Sequence, residues 1–245
     1  MKRLVITGTG TDVGKTFVAA GLLRAMRRAG RDAVLQKPFQ TGCRRQPDGS
    51  LDHPDLDAVA ATSGWQPDPA ELPDLCPYAY EPACSPHLAA RLAGDRPTAA
   101  GVAAAARRLA ARHAVVLVET AGGVLVPLNE REFMLDWMVP LGWPVLVVAR
   151  AGLGTINETL LTLRALEGAG LSCCGVVLNA ARPCAAEEAW IAADNAGTIA
   201  QLGRVPVLAR IPWLGAEARN VDWRRLEDAF PPEFLSEEEK AQAEA

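Results

Sequence analysis

The sequence lacks the features that would direct it toward a membrane or a nucleic acid. No stretch is long and apolar enough to predict a membrane-spanning helix, and residues 1–3 lead directly into a predicted strand rather than into the apolar core of a signal peptide. With 25 Lys and Arg against 29 Asp and Glu, the net charge is −4, so the basic excess typical of general nucleic-acid binders is absent. We therefore expect a cytoplasmic protein that contacts neither.

Cysteine and histidine are scattered along the chain. The six cysteines are Cys43, Cys76, Cys84, Cys173, Cys174 and Cys184, and the three histidines are His53, His87 and His113. No cysteines form the paired CxxC spacing of a zinc or redox site, and we expect reduced thiols. Cys173 and Cys174 open an apolar segment, where small buried thiols are common. His113 ends a helix-like segment and is interpreted as a cap rather than as a catalytic base.

Apolar strands alternate with helical patterns along most of the 245 residues. Strands are predicted at 4–6, 33–36, 114–118, 144–149, 175–178 and 205–208, and helices at 17–29, 56–62, 86–93, 98–112, 133–141, 155–169 and 185–202. Prolines between 66 and 86 predict an ordered loop over the sheet edge. The order predicts one α/β domain over 1–245 with a doubly wound, mostly parallel sheet, helices on both faces and a solvated tail from about residue 235.

A glycine-rich loop between the first strand and the first helix predicts a phosphate site. Glycines let the backbone wrap around phosphate oxygens, and a helix N-terminus offers N–H groups and partial positive charge. Lys15 supplies a cation for the β- and γ-phosphates, and the Thr16 hydroxyl is a ligand for Mg²⁺. Gly8 and Gly14 are separated by five residues, whereas the usual motif has four. We interpret residues 4–17 as an ATP-binding P-loop lengthened by one residue.

Other polar side chains follow predicted strands toward the same edge. Lys37 and Asn179 come directly after strands, and Glu119 ends the central one. Ligands bind at the carboxyl edge of open α/β sheets, which favours a functional role for Lys37 over that of a solvated cap. Asp55 is predicted at a helix N-cap, where it either only caps or also contacts Mg²⁺, and Asp57 is the competing metal ligand. Asn179 carries an amide suited to reading a purine edge.

Separated stretches of the chain resemble one enzyme family. They are GTGTDVGKT, KPFQTG, HPDLDAVAATSG, SPHLAA, VETAGGVLVPL, LDWM, LGTINETLLTLRALEGAGL, GVVLN and IPWL, which follow the order and spacing of ATP-dependent dethiobiotin synthetase up to about Leu214. The resemblance implies a P-loop NTPase fold and a ligase of biotin biosynthesis. In that reaction 7,8-diaminononanoate, CO₂ and MgATP give dethiobiotin, ADP and phosphate through a carbamate and its phosphorylated form.

The resemblance also implies roles for particular residues. Catalysis would depend on Lys15 and Lys37. Contacts with ATP would come from Asp12, Val13, Gly14, Lys15, Thr16, Phe17, Asp55, Glu119, Gly122, Asn179, Pro212, Trp213 and Leu214. Substrate contacts would come from Thr11, Thr41, Gly122 and Asn157, and Mg²⁺ would be held by Thr16, Asp55 and Glu119. The turn containing Asn157 resembles one that reaches the substrate carboxylate from the other subunit of a homodimer.

Two departures and a rival interpretation accompany the resemblance. Thr120 stands where the family more often has glycine, so its side chain either narrows the site or points away, and Gly10 stands where an acidic residue or asparagine is common. The rival is a ParA/MinD-like ATPase switch acting on a protein or membrane partner. That group usually has a lysine at the position of Gly10, and this chain shows no evident C-terminal basic amphipathic helix.

Overall fold

The computed structural model describes residues 2–180 and 189–214. The strands are β1 (Arg3–Gly8), β2 (Ala33–Gln36), β3 (Phe39–Thr41), β4 (Tyr78–Tyr80), β5 (Val115–Gly123), β6 (Val145–Arg150), β7 (Cys173–Asn179) and β8 (Val207–Ile211). The helices are α1 (Lys15–Arg28), α2 (Pro54–Ser63), α3 (Leu72–Leu75), α4 (Pro86–Leu92), α5 (Ala99–Arg112), α6 (Met134–Met138), α7 (Thr155–Gly168) and α8 (Ala189–Gly203). A 3₁₀ turn, Pro69–Glu71, precedes α3.

Six of the described strands form one parallel sheet in the order β2-β5-β1-β6-β7-β8. Its central strands are continuous apolar runs; Leu4, Ile6 and Val147 are 0% exposed, as expected where helices cover both faces. The doubly wound parallel sheet predicted from the sequence is confirmed. Since β1 is the neighbour of β5 in the sheet, the loop that follows β1 lies beside the C-terminal part of β5. The P-loop and Glu119 therefore lie at the same edge of the sheet.

Several predicted boundaries were wrong by a few residues. The sequence predicts a helix start at Lys15 and a helical pattern from 17 onward, and α1 begins at Lys15, because Gly14 adopts a left-handed conformation with φ of 92° and closes the loop. α6 is shorter than predicted, and the last strand begins at Val207 rather than at 205. The proline-rich stretch contains α3 and β4 as well as loop, and Tyr78 stacks on Phe39 with ring centroids 5.0 Å apart.

One predicted cap was wrong, and other calls lie outside the described residues. The N-cap of α2 is His53, so Asp55 sits in the first turn of that helix. His113 is the C-cap residue of α5, as predicted, and its ring contacts Asp32 and Glu71. Cys184, the predicted start of the helix at 185 and the tail from 235 lie outside the described residues.

Candidate active site

A cavity of about 740 Å³ opens at the carboxyl edge of the sheet, beside the loop after β1. It brings together ten residues that the sequence predicted for the site: Thr11, Asp12, Gly14, Lys15, Thr16, Lys37, Thr41, Asp55, Glu119 and Gly122. These residues come from five separate segments of the chain. The convergence follows from the fold, because parallel neighbours end at the same edge.

The glycine-rich loop is held in one conformation by close packing. A Cβ at Gly8 would lie 2.7 Å from Val13 Cγ2, which is closer than such atoms approach in proteins. Gly14 is the N-cap of α1 and no side chain caps that end, so the helix N-terminus faces the cavity. The buried Lys15 ammonium donates a 2.7 Å hydrogen bond to the Gly10 carbonyl across the loop. This geometry suits the binding of phosphate oxygens.

Lys15 carries an unusually weakly held proton. Burial, followed by repulsion from Lys37, lowers the pKa of Lys15 to about 8, although Glu119, Asp55 and Asp12 act in the opposite direction. A buried cation with this balance of charges gains from an incoming anion, since a phosphate would stabilise its charged form. The lysine is therefore electrostatically prepared for a polyphosphate ligand.

Lys37 lies at the centre of an ionic network. Its ammonium nitrogen is 2.6 Å from Asp55 Oδ2 and 2.6 Å from Glu119 Oε1, and the Thr16 hydroxyl donates to the same Glu119 oxygen at 2.7 Å. Burial alone would lower the pKa of Lys37, but the two carboxylates outweigh it and the pKa is raised. Lys37 thus remains protonated at neutral pH. Its backbone N–H donates to the Leu75 carbonyl, which fixes the residue just beyond β2.

The oxygen atoms beside Lys37 fit a divalent cation. Glu119 is 0% exposed, and its Oε2 atom is buried without a hydrogen-bond partner. With the Thr16 hydroxyl and the Asp55 carboxylate it makes a set of hard oxygen donors, as Mg²⁺ prefers. No group of three or more His, Cys, Asp and Glu side chains within residues 2–180 and 189–214 could hold a metal ion by itself. Mg²⁺ commonly uses one or two carboxylates and completes its shell with water and substrate phosphates.

Asp55 and Asp57, the two competing acidic residues, are placed differently. Asp55 lines the cavity and pairs with Lys37, whereas Asp57 is exposed and is not among the lining residues. Of the two, only Asp55 contacts the network of Lys37 and Glu119. The geometry therefore favours Asp55.

The residues predicted to bind adenine lie along the same edge but outside the cavity lining. Asn179 ends β7 and is 4% exposed; its amide nitrogen donates to the Val13 carbonyl at 3.0 Å. A Cβ on Gly14 would lie 2.0 Å from that nitrogen, so the amide packs directly against the P-loop. Pro212, Trp213 and Leu214 follow β8, the neighbour of β7, and Pro212 and Trp213 are exposed.

Three further predicted residues take different positions. Val13 is buried inside the loop and Phe17 is partly buried in the first turn of α1, so neither lines the cavity. Asn157 is exposed in the first turn of α7 and is also absent from the lining. Its predicted contact with substrate therefore depends on a second copy of the chain.

Known proteins of similar sequence show the family of this chain. A family model described as an AAA domain matches residues 2–219. The chain is 47% identical over 214 residues to the ATP-dependent dethiobiotin synthetase BioD of Anaeromyxobacter dehalogenans strain 2CP-C, covering 87% of this chain and 91% of that protein. It is 39% identical over 232 residues to the protein of the same name from Pseudomonas paraeruginosa, covering 92% and 98%. The chain belongs to the dethiobiotin synthetase family.

Solved structures with a similar fold include a MinD protein and a chain of a MinC:MinD complex. The Pyrococcus furiosus cell division ATPase MinD superposes with a TM-score of 0.53 at 19% identity, covering 96% of this chain and 100% of that chain. A chain of the Aquifex aeolicus MinC:MinD complex gives 0.56 at 14% identity, covering 95% and 87%. At these identities the similarity shows the fold alone. None of the described helices is both long enough and apolar enough to span a bilayer.

The two departures from the family pattern leave the cavity open. Thr120 is 0% exposed, is absent from the lining, and places its hydroxyl 3.1 Å from that of Thr7. Of the two alternatives for this side chain, the structure therefore supports the one in which it points away. Gly10 has open space where a Cβ would stand, and its contribution is the carbonyl that accepts from Lys15.

Gln40 is a site residue that sequence reasoning missed. It is 5% exposed in β3, lines the cavity, and its Oε1 accepts a 3.2 Å hydrogen bond from the Asp55 backbone N–H. His53 makes no side-chain cap and Pro54 has no N–H, so Gln40 supplies the cap of α2 from another element. The available signal was the position of this amide directly after Lys-Pro-Phe, close to the predicted site. A buried amide needs a hydrogen-bond partner.

Proposed function

We propose that this chain catalyses the ATP-dependent closure of 7,8-diaminononanoate and CO₂ to dethiobiotin, as a carbon–nitrogen ligase of biotin biosynthesis. The observation that carries the proposal is the convergence of Lys15, Lys37 and Glu119 in one cavity, in a chain that belongs to the dethiobiotin synthetase family. The free thiols at the five described cysteines are in line with a cytoplasmic location.

The chemistry proceeds in three bond-forming steps. One amine of the substrate attacks CO₂ and loses a proton, which gives a carbamate. A carbamate oxygen then attacks the γ-phosphorus of ATP and ADP leaves, which gives a carbamic–phosphoric anhydride. Finally the second amine attacks the carbamoyl carbon and loses a proton, inorganic phosphate leaves with its electron pair, and the ureido ring closes. No step needs a nucleophilic side chain, so the protein acts through position and charge.

Two lysines carry the electrostatic part of this mechanism. Lys15 and Lys37 line the same cavity, Lys15 from the P-loop, where it would face the β- and γ-phosphates, and Lys37 from the end of β2. Negative charge spreads over the transferring phosphoryl group, and preorganised cations lower the energy of that state. Lys37 is preorganised by Glu119 and Asp55, which hold its ammonium group in place before any ligand enters.

Thr16, Asp55 and Glu119 would hold the Mg²⁺ that accompanies ATP. When bound, the ion neutralises phosphate charge during the transfer. The partnerless Oε2 of Glu119 supports this assignment, since a buried carboxylate oxygen without a partner is costly unless a ligand satisfies it. Asp12, Val13, Gly14, Phe17 and Gly122 would complete the phosphate contacts through the loop. Asn179 and residues 212–214 would contact adenine at the ends of β7 and β8.

The diamine would occupy the cavity beside Thr11, Thr41 and Gly122, all of which line it. Its carboxylate would extend toward Asn157 of a second subunit in a homodimer. Asn157 is exposed, and Leu153, four residues before it, is 89% exposed. Both side chains are accessible to a second subunit.

The test measures the release of phosphate from MgATP by the purified protein. The reaction contains ¹³C-bicarbonate as the source of CO₂ and is run with and without 7,8-diaminononanoate. We expect release that requires the diamine, with one labelled dethiobiotin per phosphate by mass spectrometry, and loss of the reaction on chelation by EDTA. Release that is indifferent to the diamine would contradict the proposal. Release that begins only when a protein or membrane partner is added would favour an ATPase switch.

A further inference from the structure

The parallel pairing of β1 with β5 is interrupted directly beneath the phosphate-binding loop. Ile6 pairs with Glu119 and Gly8 pairs with Gly123, with a register shift between these anchors. One residue of β1, Thr7, therefore stands opposite a three-residue excursion of β5 that runs from 120 to 122. An excursion of this kind leaves ladder positions unpaired, so its conformation needs another constraint.

Two buried hydroxyl groups bridge this interruption. Thr7 and Thr120 are each 0% exposed, and their Oγ1 atoms lie 3.1 Å apart. The Thr120 Oγ1 also lies 3.2 Å from the Gly122 carbonyl oxygen, which accepts its hydrogen bond. The Thr120 hydroxyl is the donor in both contacts, so its one hydrogen is shared between the Thr7 hydroxyl oxygen and the Gly122 carbonyl oxygen. The contact replaces the missing ladder bonds and ties the excursion to β1.

The excursion carries part of the cavity wall. Ala121 and Gly122 line the cavity, while Thr120 does not. Gly122 has φ of 69°, and a Cβ there would lie 2.8 Å from Val126 Cγ2 and 3.7 Å from Thr11 Oγ1. The backbone at Gly122 thus packs tightly against Val126 and within van der Waals distance of Thr11 in the P-loop, in a conformation that residues with a side chain rarely adopt. A small rotation of this peptide would move the wall on the side where the diamine is proposed to bind.

We propose that Thr7 and Thr120 form a buried hydroxyl pair that positions Gly122 against the phosphate-binding loop, and that Thr120 is a positioning residue for the diamine. The inference rests on the proposed function, because the diamine defines the affected step. The hydroxyl touches no reacting atom and acts through the Gly122 carbonyl. Its loss should therefore affect the diamine and the turnover more than the binding of MgATP.

The test compares Thr120→Val, Thr120→Ser, Thr7→Val and the double variant with the native protein. Valine keeps the branched shape and removes the hydroxyl, whereas serine keeps the hydroxyl. Thr162→Val is the matched control: that threonine is 7% exposed in α7, and its hydroxyl donates to the Glu158 carbonyl. For each protein, kcat and KM for the diamine, the dissociation constant for MgATP, and urea unfolding are measured.

We expect Thr120→Val to lower kcat/KM for the diamine about 10- to 100-fold, the scale of a small misplacement of a reacting group. MgATP binding should stay within about twofold, Thr120→Ser should restore most of the loss, and the double variant should lose no more than the worse single variant, because the two hydroxyls act as one unit. Thr162→Val should keep native kinetics. These results would support the hydroxyl pair as a positioning device.

Two outcomes would overturn the inference. Unchanged kinetics in Thr120→Val, with or without lost stability, would leave the pair a structural contact only. An equal loss in Thr120→Ser, which keeps the hydroxyl, would show that the effect comes from the packing of the side chain and not from the hydroxyl. If the native protein makes no dethiobiotin, the proposed function fails and this inference fails with it. The assay of the native protein therefore distinguishes failure of the proposed function from failure of this inference.

Discussion

At the scale of single residues, we expect Lys37 to be the side chain on which transfer of the phosphoryl group most depends. Its ammonium is buried and held at 2.6 Å by both Asp55 and Glu119. Lys37→Gln removes the charge, and we expect kcat for dethiobiotin formation to fall about 100-fold or more, which corresponds to about 3 kcal/mol of transition-state stabilisation. The measurement is initial rate at saturating MgATP and diamine.

Folding must be separated from chemistry in this variant. Removing Lys37 leaves Glu119 and Asp55 close together without their cation, which destabilises a buried site. Lys37→Arg keeps the charge and provides the comparison, and Arg164→Gln, which alters only an exposed pair with Glu167, provides the control. Near-native turnover by a folded Lys37→Gln would show that this charge does not act on the phosphoryl group.

Gln40 acts on the same site through the backbone. In Gln40→Met the side chain keeps its length but loses the oxygen that accepts from the Asp55 N–H. We expect the free energy of unfolding to fall by about 1 kcal/mol, as for loss of a helix cap, and the diamine-dependent rate to fall about tenfold because Asp55 is no longer fixed beside Lys37. Urea unfolding and initial rates measure the two effects.

The matched control for Gln40 is Gln46→Met. Gln46 is exposed, and its amide makes only a 3.4 Å contact with the Arg44 carbonyl. Its replacement should change stability by less than about 0.5 kcal/mol and leave the rate unchanged. Equal effects of the two substitutions would remove the assigned role of Gln40.

At the scale of elements, a charge network joins α3 to α5. Asp74 in α3 lies 2.6 Å from Arg108 and 2.7 Å from Arg112 of α5, and its backbone carbonyl accepts from Gln36 at the end of β2. Burial alone would raise the pKa of Asp74, but hydrogen bonds from the two arginines outweigh it and the pKa is lowered. The network therefore supports the strand that delivers Lys37.

A lowered pKa in the folded state makes this contribution pH-dependent. The stability that Asp74 adds is fully present above its ordinary pKa of about 4 and is lost as pH falls through the lower folded value. We expect Asp74→Asn to be less stable than the native protein by about 1 kcal/mol at pH 7. The difference should shrink as the pH falls below about 4, as measured by urea unfolding at a series of pH values.

Glu167→Gln is the control for this titration, because Glu167 and Arg164 are each 69% exposed on α7. Such exposed pairs contribute about 0–1 kcal/mol, so its effect should be small throughout. A difference for Asp74→Asn that stays constant from pH 7 to strongly acidic conditions would contradict the assigned ionic role.

The order of elements was predictable, and the tertiary contacts of buried polar residues were not. Lys37 and Glu119 could be placed in the site because strand ends meet at one edge, whatever the details of packing. Gln40 reaches a residue 15 positions away and Thr120 one 113 positions away, and no spacing rule indicates such partners. Asp55 was misassigned as a cap because the structure starts α2 at Pro54, two residues before the predicted start at 56.

At the scale of the whole molecule, the proposed homodimer makes a specific prediction about shared sites. Lys37 would act in its own subunit, whereas Asn157 would serve the site of its partner. Lys37→Gln and Asn157→Ala should each be impaired alone. In a mixed dimer one of the two sites contains both native residues, so co-expression of the two variants should restore about a quarter of native activity by random pairing.

Two measurements check this expectation. Light scattering after gel filtration gives the mass, for which we expect a dimer, and dethiobiotin formation by the co-expressed variants gives the restored activity. The double variant, which carries both substitutions in one chain, is the control and should restore nothing when paired with itself. A monomeric native protein with full activity would rule out the shared site.

The position of β1 has a consequence for biogenesis. Although β1 precedes the other described strands along the chain, its two neighbours are β5 and β6, so Arg3 pairs with Val116 and Val5 with Val145. More than a hundred residues must therefore be synthesised before the strand that leads into the phosphate-binding loop is enclosed, and such long-range pairing slows folding. A nascent chain that ends before residue 145 carries every residue of the P-loop but only one of the two strands that flank β1, because β6 is still missing. β1 therefore waits for β6, a strand that is synthesised much later, before both of its edges are paired.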